Sequence, residues 1–72
     1  MSSIQDQVIE CMRIKGRPTT AVEIMTMIYP DLPDYKRTSK RTKIYAILKN
    51  YEKYGIVKKG AILDRERLWV LV

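Results

Sequence analysis

The stretch that decides the fold runs from Lys36 to Val57 and reads KRTSKRTKIYAILKNYEKYGIV. Its apolar residues recur at helical spacing, in the order Ile44, Ile47, Leu48, Tyr51 and Tyr54. Thr38 or Ser39 supplies a hydroxyl that can cap a helix, and Gly55 stands where a left-handed residue would end it. The stretch therefore predicts a helix, here helix 3, over about residues 39–54, with one buried face and one polar face.

Basic charge is concentrated on helix 3 and its flanks. The chain carries a formal net charge of +6, but residues 36–59 alone contain nine basic side chains and one acidic side chain. Residues 1–35, by contrast, contain three basic and five acidic side chains. Cations at a helix N-terminus oppose the helix macrodipole, and a bound anion would relieve this conflict. The distribution predicts a polyanionic partner, the alternative interpretation being a solvated lysine-rich face.

Two shorter helices are predicted before helix 3. Helix 1 covers residues 3–15, with Ser2 or Ser3 as its cap, and buries a stripe of apolar residues: Ile4, Val8, Cys11 and Met12. Helix 2 begins at a capping box formed by Thr20 and Glu23 and must end before Pro30. The proline-containing connection that follows is expected to be anchored to the core by Leu32 and Tyr35.

After Gly55 the periodicity changes to two, which predicts strands. The expected strands are residues 56–63 and 67–72, joined by a polar tip of Asp64, Arg65 and Glu66. Gly60 inside the first strand indicates a bulge or bend. Trp69 and Leu71 share the side of the last strand that is expected to face the core. The predicted fold class is α+β, mostly helical, with three helices followed by a two-stranded antiparallel hairpin.

This order resembles that of the winged helix-turn-helix DNA-binding superfamily. RPTTAVEI, residues 17–24, is similar to the start of the second helix in that superfamily. KIYAILKNYEKYGIVKK, residues 43–59, is similar to its recognition-helix signature, and Trp69 and Leu71 stand where the returning wing strand often places a core pair. The small size and the Ile- and Lys-rich composition resemble those of minimal transcription regulators of archaea and their viruses. The resemblance implies DNA binding, with wing contacts limited to Arg65 and Arg67 by the short tip.

Length and composition exclude several other classes of protein. Seventy-two residues predict a single domain over residues 1–72, and no run of about 18 apolar residues is available to span a membrane. The first residues lack a secretory pattern, and one cysteine, Cys11, excludes an internal disulfide framework. We therefore expect an intracellular, cytoplasmic protein associated with the nucleoid.

The residue types also argue against catalysis. Without histidine, the chain cannot assemble a Ser/His or Cys/His nucleophile pair. No acidic cluster has calcium-loop spacing, and the three glycines lie too far apart for a phosphate-binding loop. We predict no enzymatic activity, no metal, no cofactor and no small-molecule ligand.

Helix 3 is the expected reader of double-stranded DNA, because a major groove about 12 Å wide admits one helix. The residues expected to reach base edges are Arg41, Thr42, Lys43, Tyr45, Ala46 and Lys49. The residues expected to contact phosphates are Lys36, Arg37, Thr38, Ser39, Lys40, Lys53, Lys58 and Arg65. Asn50 could pair with adenine, and an alternative role for Tyr45 is boundary packing against Tyr35.

The leading hypothesis is a sequence-specific DNA-binding transcription regulator. One alternative is a protein–protein interaction module of a transcription or replication assembly, which docks the same basic helix on an acidic partner. Another is a binder of nucleic acid, including RNA, without sequence preference. A small monomer would bind only a half-site, so specificity in a genome favours a homodimer over a monomer, and the surfaces available for it are helix 1 with Ile9 and the last strand with Val70.

Overall fold

The computed structural model describes residues 3–72. Its elements in chain order are α1 (Ile4–Lys15), β1 (Thr19–Thr20), α2 (Ala21–Ile28), α3 (Asp34–Lys53), β2 (Val57–Leu63) and β3 (Glu66–Leu71). The strands form one antiparallel sheet in the order β1-β3-β2. The predicted α+β class is confirmed, with three helices and a three-stranded sheet in the part of the chain described.

The first two helices begin and end where the sequence predicts. The Ser3 hydroxyl accepts a hydrogen bond from the Asp6 amide at 3.2 Å, and Gly16 ends α1 in the left-handed conformation. Ser2, the other candidate cap, lies outside the described residues. The capping box of α2 is present, since the Glu23 amide donates to Thr20 Oγ1 at 3.1 Å and the Glu23 carboxylate accepts from the Thr20 amide.

Helix α3 begins five residues earlier than predicted, at Asp34 rather than Ser39. The prediction that Thr38 or Ser39 caps it is wrong, because both lie inside the helix. Pro33 occupies the cap position and makes no side-chain cap hydrogen bond. Its ring fixes φ at −62°, a value compatible with the start of a helix. The Asp34 carboxylate then lies near the positive end of the helix dipole and offsets the cations that follow it.

The early start of α3 changes the environment of Tyr35. Tyr35 was expected to anchor the connection to the core, but it stands in the first turn of α3 and is 81% exposed. Leu32 is half-buried against the core, as predicted. Tyr54, the last residue of the apolar series predicted for the buried face, is 70% exposed, and α3 ends before it at Lys53.

The sheet contains a strand that the sequence analysis did not predict. β1 has only two residues, and it pairs with β3 so that Thr19 lies opposite Trp69 and Thr20 opposite Leu68. A segment of two residues is too short to show an alternating pattern, and β1 is a strand only because it pairs with β3. Thr19 is fully buried, and its hydroxyl donates to the Arg17 carbonyl at 2.8 Å.

The hairpin of β2 and β3 turns through two residues rather than the predicted three. Asp64 and Arg65 both have positive φ, 51° and 66°, which is the geometry of a type I′ turn, and Glu66 belongs to β3. The predicted irregularity at Gly60 is confirmed, because the pairing register shifts between Lys59 and Ile62. A Cβ at Gly60 would lie 3.3 Å from the Leu68 carbonyl oxygen, so the close approach of the strands favours glycine.

The core is formed between the helices and one face of the sheet. Trp69 is 1% exposed, Leu71 packs beside the core, and Cys11 is buried, all as predicted. The buried apolar residues are Val8, Cys11, Met12, Ala21, Ile24, Met25, Ile44, Ile47, Leu48, Val57 and Trp69. Burial of Ile44, Ile47 and Leu48 fixes which side of α3 faces inward, and the opposite side is left to solvent.

The ion pair between Arg17 and Glu23 makes stability sensitive to acid. Arg17 Nη2 lies 2.6 Å from Glu23 Oε2, and this hydrogen bond lowers the pKa of the Glu23 carboxyl below its ordinary value of 4.5. A lowered pKa in the folded state gives stability that is present above the unfolded pKa and lost as pH falls through the folded value. We expect the free-energy difference between the wild type and Glu23→Gln to shrink as pH falls from about 6 to about 3. Urea denaturation across this range measures it, and a constant difference would contradict the expectation.

Candidate nucleic-acid interface

One continuous line of exposed side chains runs along the outward side of α3. Residues three and four positions apart on a helix are neighbours, so these side chains form a single row. We call this row the α3 stripe, and its members are Tyr35, Ser39, Thr42, Ala46, Lys49 and Lys53. Its middle is made of small side chains, Ser39, Thr42 and Ala46, while lysines follow at its C-terminal end.

The residues predicted to reach base edges separate into two groups. Thr42, Ala46 and Lys49 lie on the α3 stripe, and Lys43 is exposed beside it. Arg41 and Tyr45 instead lie on the side of α3 that faces the hairpin, where both are half-buried. The structure therefore brings four of the six candidates together on one solvent-facing surface, which Asn50 extends.

Arg41 and Tyr45 both bind Glu66, the first residue of β3. Arg41 Nη1 donates to Glu66 Oε1 at 3.3 Å, and the Tyr45 hydroxyl donates to Glu66 Oε2 at 2.9 Å. The Tyr45 ring also packs edge-to-face on Trp69, with centroids 6.4 Å apart. Tyr45 therefore packs against Trp69, and the alternative prediction that it packs against Tyr35 is wrong. Burial, reinforced by the bond to Glu66, raises the pKa of the Tyr45 hydroxyl.

Two of the residues predicted to contact phosphates, Ser39 and Lys53, belong to the α3 stripe, and the others lie elsewhere on α3 or in the hairpin. Lys36 lies over the ring of Tyr35, 5.7 Å from the centroid, and Lys40 lies 5.1 Å from the ring centroid of Tyr29. The other predicted phosphate contacts are exposed, apart from the half-buried Arg37: Thr38, Ser39, Lys53, Lys58 and Arg65. Arg65 stands at the turn of the hairpin, away from α3 in sequence but on the same basic half of the chain.

Most of the positive charge between residues 36 and 59 has no carboxylate partner. Within residues 3–72, the Arg41–Glu66 pair and the Lys59–Glu52 pair, at 3.3 and 3.9 Å, are the ion pairs that involve this segment. The remaining seven cations have no carboxylate oxygen within 4.0 Å in the described chain: Lys36, Arg37, Lys40, Lys43, Lys49, Lys53 and Lys58. Unpaired cations at this density create a positive potential that attracts polyanions.

Two depressions flank the α3 stripe. One, of about 390 Å³, lies between α2 and the N-terminal half of α3 and is lined by Val22, Met25, Asp34, Arg37, Thr38 and Arg41. The other, of about 350 Å³, includes Gln5 of α1 beside Lys43, Ala46 and Asn50. Gln5, like the exposed Tyr35, is thus part of the candidate surface, although no pattern in the sequence relates it to α3.

Glu66 is a further residue that sequence reasoning did not assign to the site. It is separated from Arg41 by 25 positions, so no local pattern links them. The sequence predicts Glu66 in the hairpin tip, where a carboxylate would be solvated. The two-residue turn moves it into β3, and the pairing of β3 brings it against α3.

The described part of the chain holds no group of three or more Cys, Asp or Glu side chains that could bind a metal ion. No helix within residues 3–72 combines the length and the apolar composition that crossing a membrane requires. No protein-family model and no curated protein sequence matches the chain. The functional proposal therefore depends on the geometry and charge of α3 and the hairpin.

Proposed function

We propose that this protein is a sequence-specific double-stranded DNA-binding protein, acting as a transcription regulator that inserts α3 in the major groove. The observation that carries the proposal is the combination of the exposed α3 stripe with the seven cations, two of them on the stripe, that have no carboxylate partner within residues 3–72. A helix with side chains is about 10–12 Å across, which matches a major groove about 12 Å wide. The three-helix order with a following hairpin is compatible with a winged helix-turn-helix, in which β2 and β3 form the wing.

The middle of the stripe is suited to close approach. Ser39, Thr42 and Ala46 have short side chains, so the backbone of α3 can lie near the groove floor there. Ala46 can contact a thymine methyl, while the Thr42 hydroxyl is already donated to the Thr38 carbonyl at 2.9 Å and keeps its acceptor capacity. Lys43 and Lys49 on either side can donate to guanine, and Asn50 can pair with adenine.

Contacts with phosphates would fix the orientation of the protein on the duplex. Lys36, Arg37 and Lys40 lie at the N-terminal end of α3, and Lys53 and Lys58 follow at the other end. Phosphate contacts from both ends of the helix would position the stripe between them in the groove. Arg65 at the tip of the hairpin would reach the backbone beside the groove.

A selection of random duplex DNA against the purified protein, read by sequencing, tests the proposal. Binding of the selected duplexes is then followed across a salt series. A recovered motif with a steep fall of affinity at higher salt is the expected result, and an inverted repeat would indicate a homodimer. Salt-dependent binding without a motif would replace the proposal with binding that lacks sequence preference. No binding at moderate salt would overturn it.

Lys49 and Lys53 offer a matched pair of lysines on the α3 stripe. Replacing Lys49 by Ala is expected to cost about 1–3 kcal/mol on the selected site and little on unrelated duplexes, because its contact is with a base edge. Replacing Lys53 by Ala is expected to weaken binding equally on all duplexes and to reduce the salt slope by about one, because its contact is with a phosphate. Equal losses on all sequences for Lys49→Ala would reassign Lys49 to the backbone.

A protein-docking role is the second candidate, and one observation favours it. Ile62 and Leu63, consecutive residues of β2 near the hairpin turn, are 61% and 59% exposed, one on each face of the strand. Large apolar side chains exposed on both faces of the hairpin end favour a contact with another protein. Replacing both by Ser would leave DNA affinity unchanged under the DNA-binding proposal, whereas loss of function in the cell without loss of DNA affinity would support a protein partner.

The two residues predicted to lie on homodimer surfaces, Ile9 and Val70, are only partly exposed. Ile9 packs against the core, and Val70 is half-buried beside Gly60. Larger exposed apolar side chains occur elsewhere, at Ile14, Tyr54 and Ile56. Homodimerisation remains a proposal, to be measured by sedimentation with and without a selected duplex.

A further inference from the structure

The bond network of Glu66 joins the candidate DNA-binding helix to the hairpin. One carboxylate oxygen accepts from Arg41 at 3.3 Å and the other from Tyr45 at 2.9 Å. The Arg41 side chain is 44% exposed, and its contact with Glu66 is a single hydrogen bond rather than a two-point pair. Such a pair on a surface is weak and exchanges readily with another anion.

A phosphate is the anion that would replace Glu66 as the partner of Arg41. The guanidinium group binds carboxylates and phosphates through the same N–H donors. Arg41 lines the depression between α2 and α3 together with Arg37 and Thr38, two residues expected to contact phosphates. A DNA phosphate near this edge of α3 would therefore meet Arg41 while it is bound to Glu66.

We propose that Glu66 is an intramolecular competitor of the DNA phosphate for Arg41, and that it limits the affinity of this protein for the DNA backbone. This inference rests on the proposed DNA-binding function. When Arg41 turns to a phosphate, Glu66 keeps its hydrogen bond from Tyr45 and remains as a negative charge beside the duplex. Both effects lower affinity, because an ion pair is lost and a carboxylate repels the phosphates. Glu66 thus has a second role besides holding β3 against α3.

The hairpin itself offers a matched control for the charge of Glu66. Asp64 stands two residues before Glu66, and its carboxylate makes no hydrogen bond or ion pair with another described residue. Asp64 has φ 51°, a conformation that asparagine tolerates, so Asp64→Asn keeps the turn. Glu66→Gln and Asp64→Asn change the net charge by the same amount. In Glu66→Gln, the amide oxygen of the introduced glutamine can still accept from Tyr45.

Fluorescence anisotropy with one fixed duplex, across a salt series, distinguishes the two variants. Glu66→Gln is expected to bind about tenfold more tightly than the wild type at low salt, with a salt slope steeper by up to about one, because Arg41, which is divided between Glu66 and a phosphate in the wild-type complex, is released to the phosphate. Asp64→Asn is expected to bind less than threefold more tightly, with an unchanged slope, through about one unit of net charge alone. Equal gains for the two variants would overturn the proposal.

Two further variants separate competition from a loosened hairpin. Adding Arg41→Gln to Glu66→Gln is expected to abolish the gain in DNA affinity. In the wild-type background, Arg41→Gln is expected to change DNA affinity less than it does in the Glu66→Gln background. Tyr45→Phe removes the hydroxyl bond to Glu66 but keeps both the carboxylate and the ring contact with Trp69. Tyr45→Phe is therefore expected to leave affinity unchanged. A gain as large as that of Glu66→Gln would assign the effect to hairpin mobility and contradict the proposal.

A titration without DNA tests the competition for Arg41 independently of the proposed DNA-binding function. The Arg41 Nε–H signal is followed by NMR as inorganic pyrophosphate is added to the wild type, Glu66→Gln and Asp64→Asn. A larger shift of the Arg41 signal in Glu66→Gln than in Asp64→Asn is the expected result. If no variant binds DNA but this difference is present, the proposed function fails and the competition stands. If DNA binds and the difference is absent, the competition fails.

Discussion

Replacing Trp69 by alanine is expected to lower the free energy of unfolding by about 3–5 kcal/mol. Trp69 is 1% exposed, pairs with Thr19 of β1 and packs on Tyr45, so truncation opens a cavity between the sheet and α3. A domain of this size has a total stability of the order of 5–10 kcal/mol, and the variant is therefore expected to be largely unfolded on mild heating.

Trp69→Phe is the informative comparison. The indole Nε1 of Trp69 is buried and has no hydrogen-bond acceptor among the described residues. Phenylalanine leaves a smaller cavity than alanine and removes this unpaired donor, whose burial costs about 1–3 kcal/mol. We expect Trp69→Phe to cost less than about half as much as Trp69→Ala.

Urea denaturation followed by circular dichroism measures both variants, since Trp69 is the single tryptophan and its fluorescence is lost on substitution. Ile62→Ala, at a position 61% exposed, is the control and is expected to change stability by no more than about 0.5 kcal/mol. Equal costs for Trp69→Phe and Trp69→Ala would contradict the view that the indole N–H is unpaired.

Replacing Ala46 by glutamate is expected to lower DNA affinity about 100-fold, or by about 2.7 kcal/mol. Ala46 is exposed in the middle of the α3 stripe, where the helix would approach the groove most closely. A carboxylate there would face the phosphates, and it lies three residues from both Lys43 and Lys49, whose charges it would neutralise. Glutamate is a good helix former, so the fold is expected to persist.

The control for Ala46→Glu is Ile14→Glu, which introduces the same charge at a residue of α1 that is 66% exposed. Both variants reduce the net charge equally, so a difference between them reports position. Anisotropy on a selected duplex measures affinity, and thermal unfolding by circular dichroism verifies the fold. Similar small losses for the two variants would remove α3 from the interface and favour the protein-docking alternative.

The helices were predictable because their signals are local. Apolar spacing, the capping box at Thr20 and Glu23, and Gly16 and Gly55 act over a few residues, so a single sequence contains them. The exposed side of α3 followed from the same periodicity, which is why Thr42, Ala46 and Lys49 lie together on the solvent-facing side. The N-terminus of α3 was misjudged because two hydroxyl residues offered a cap signal, whereas Pro33 began the helix without one.

By itself the sequence determined the α+β class, the two capped helices, the buried face of α3, the bulge at Gly60 and the concentration of cations on residues 36–59. Only the tertiary structure decided that Thr19 and Thr20 form a strand, and that Arg41 and Tyr45 bind Glu66. A two-residue strand has no stability of its own and forms only beside β3. The partners of Arg41 and Tyr45 were fixed by the turn at Asp64 and Arg65, since a shift of one residue in the hairpin would turn Glu66 to the opposite face.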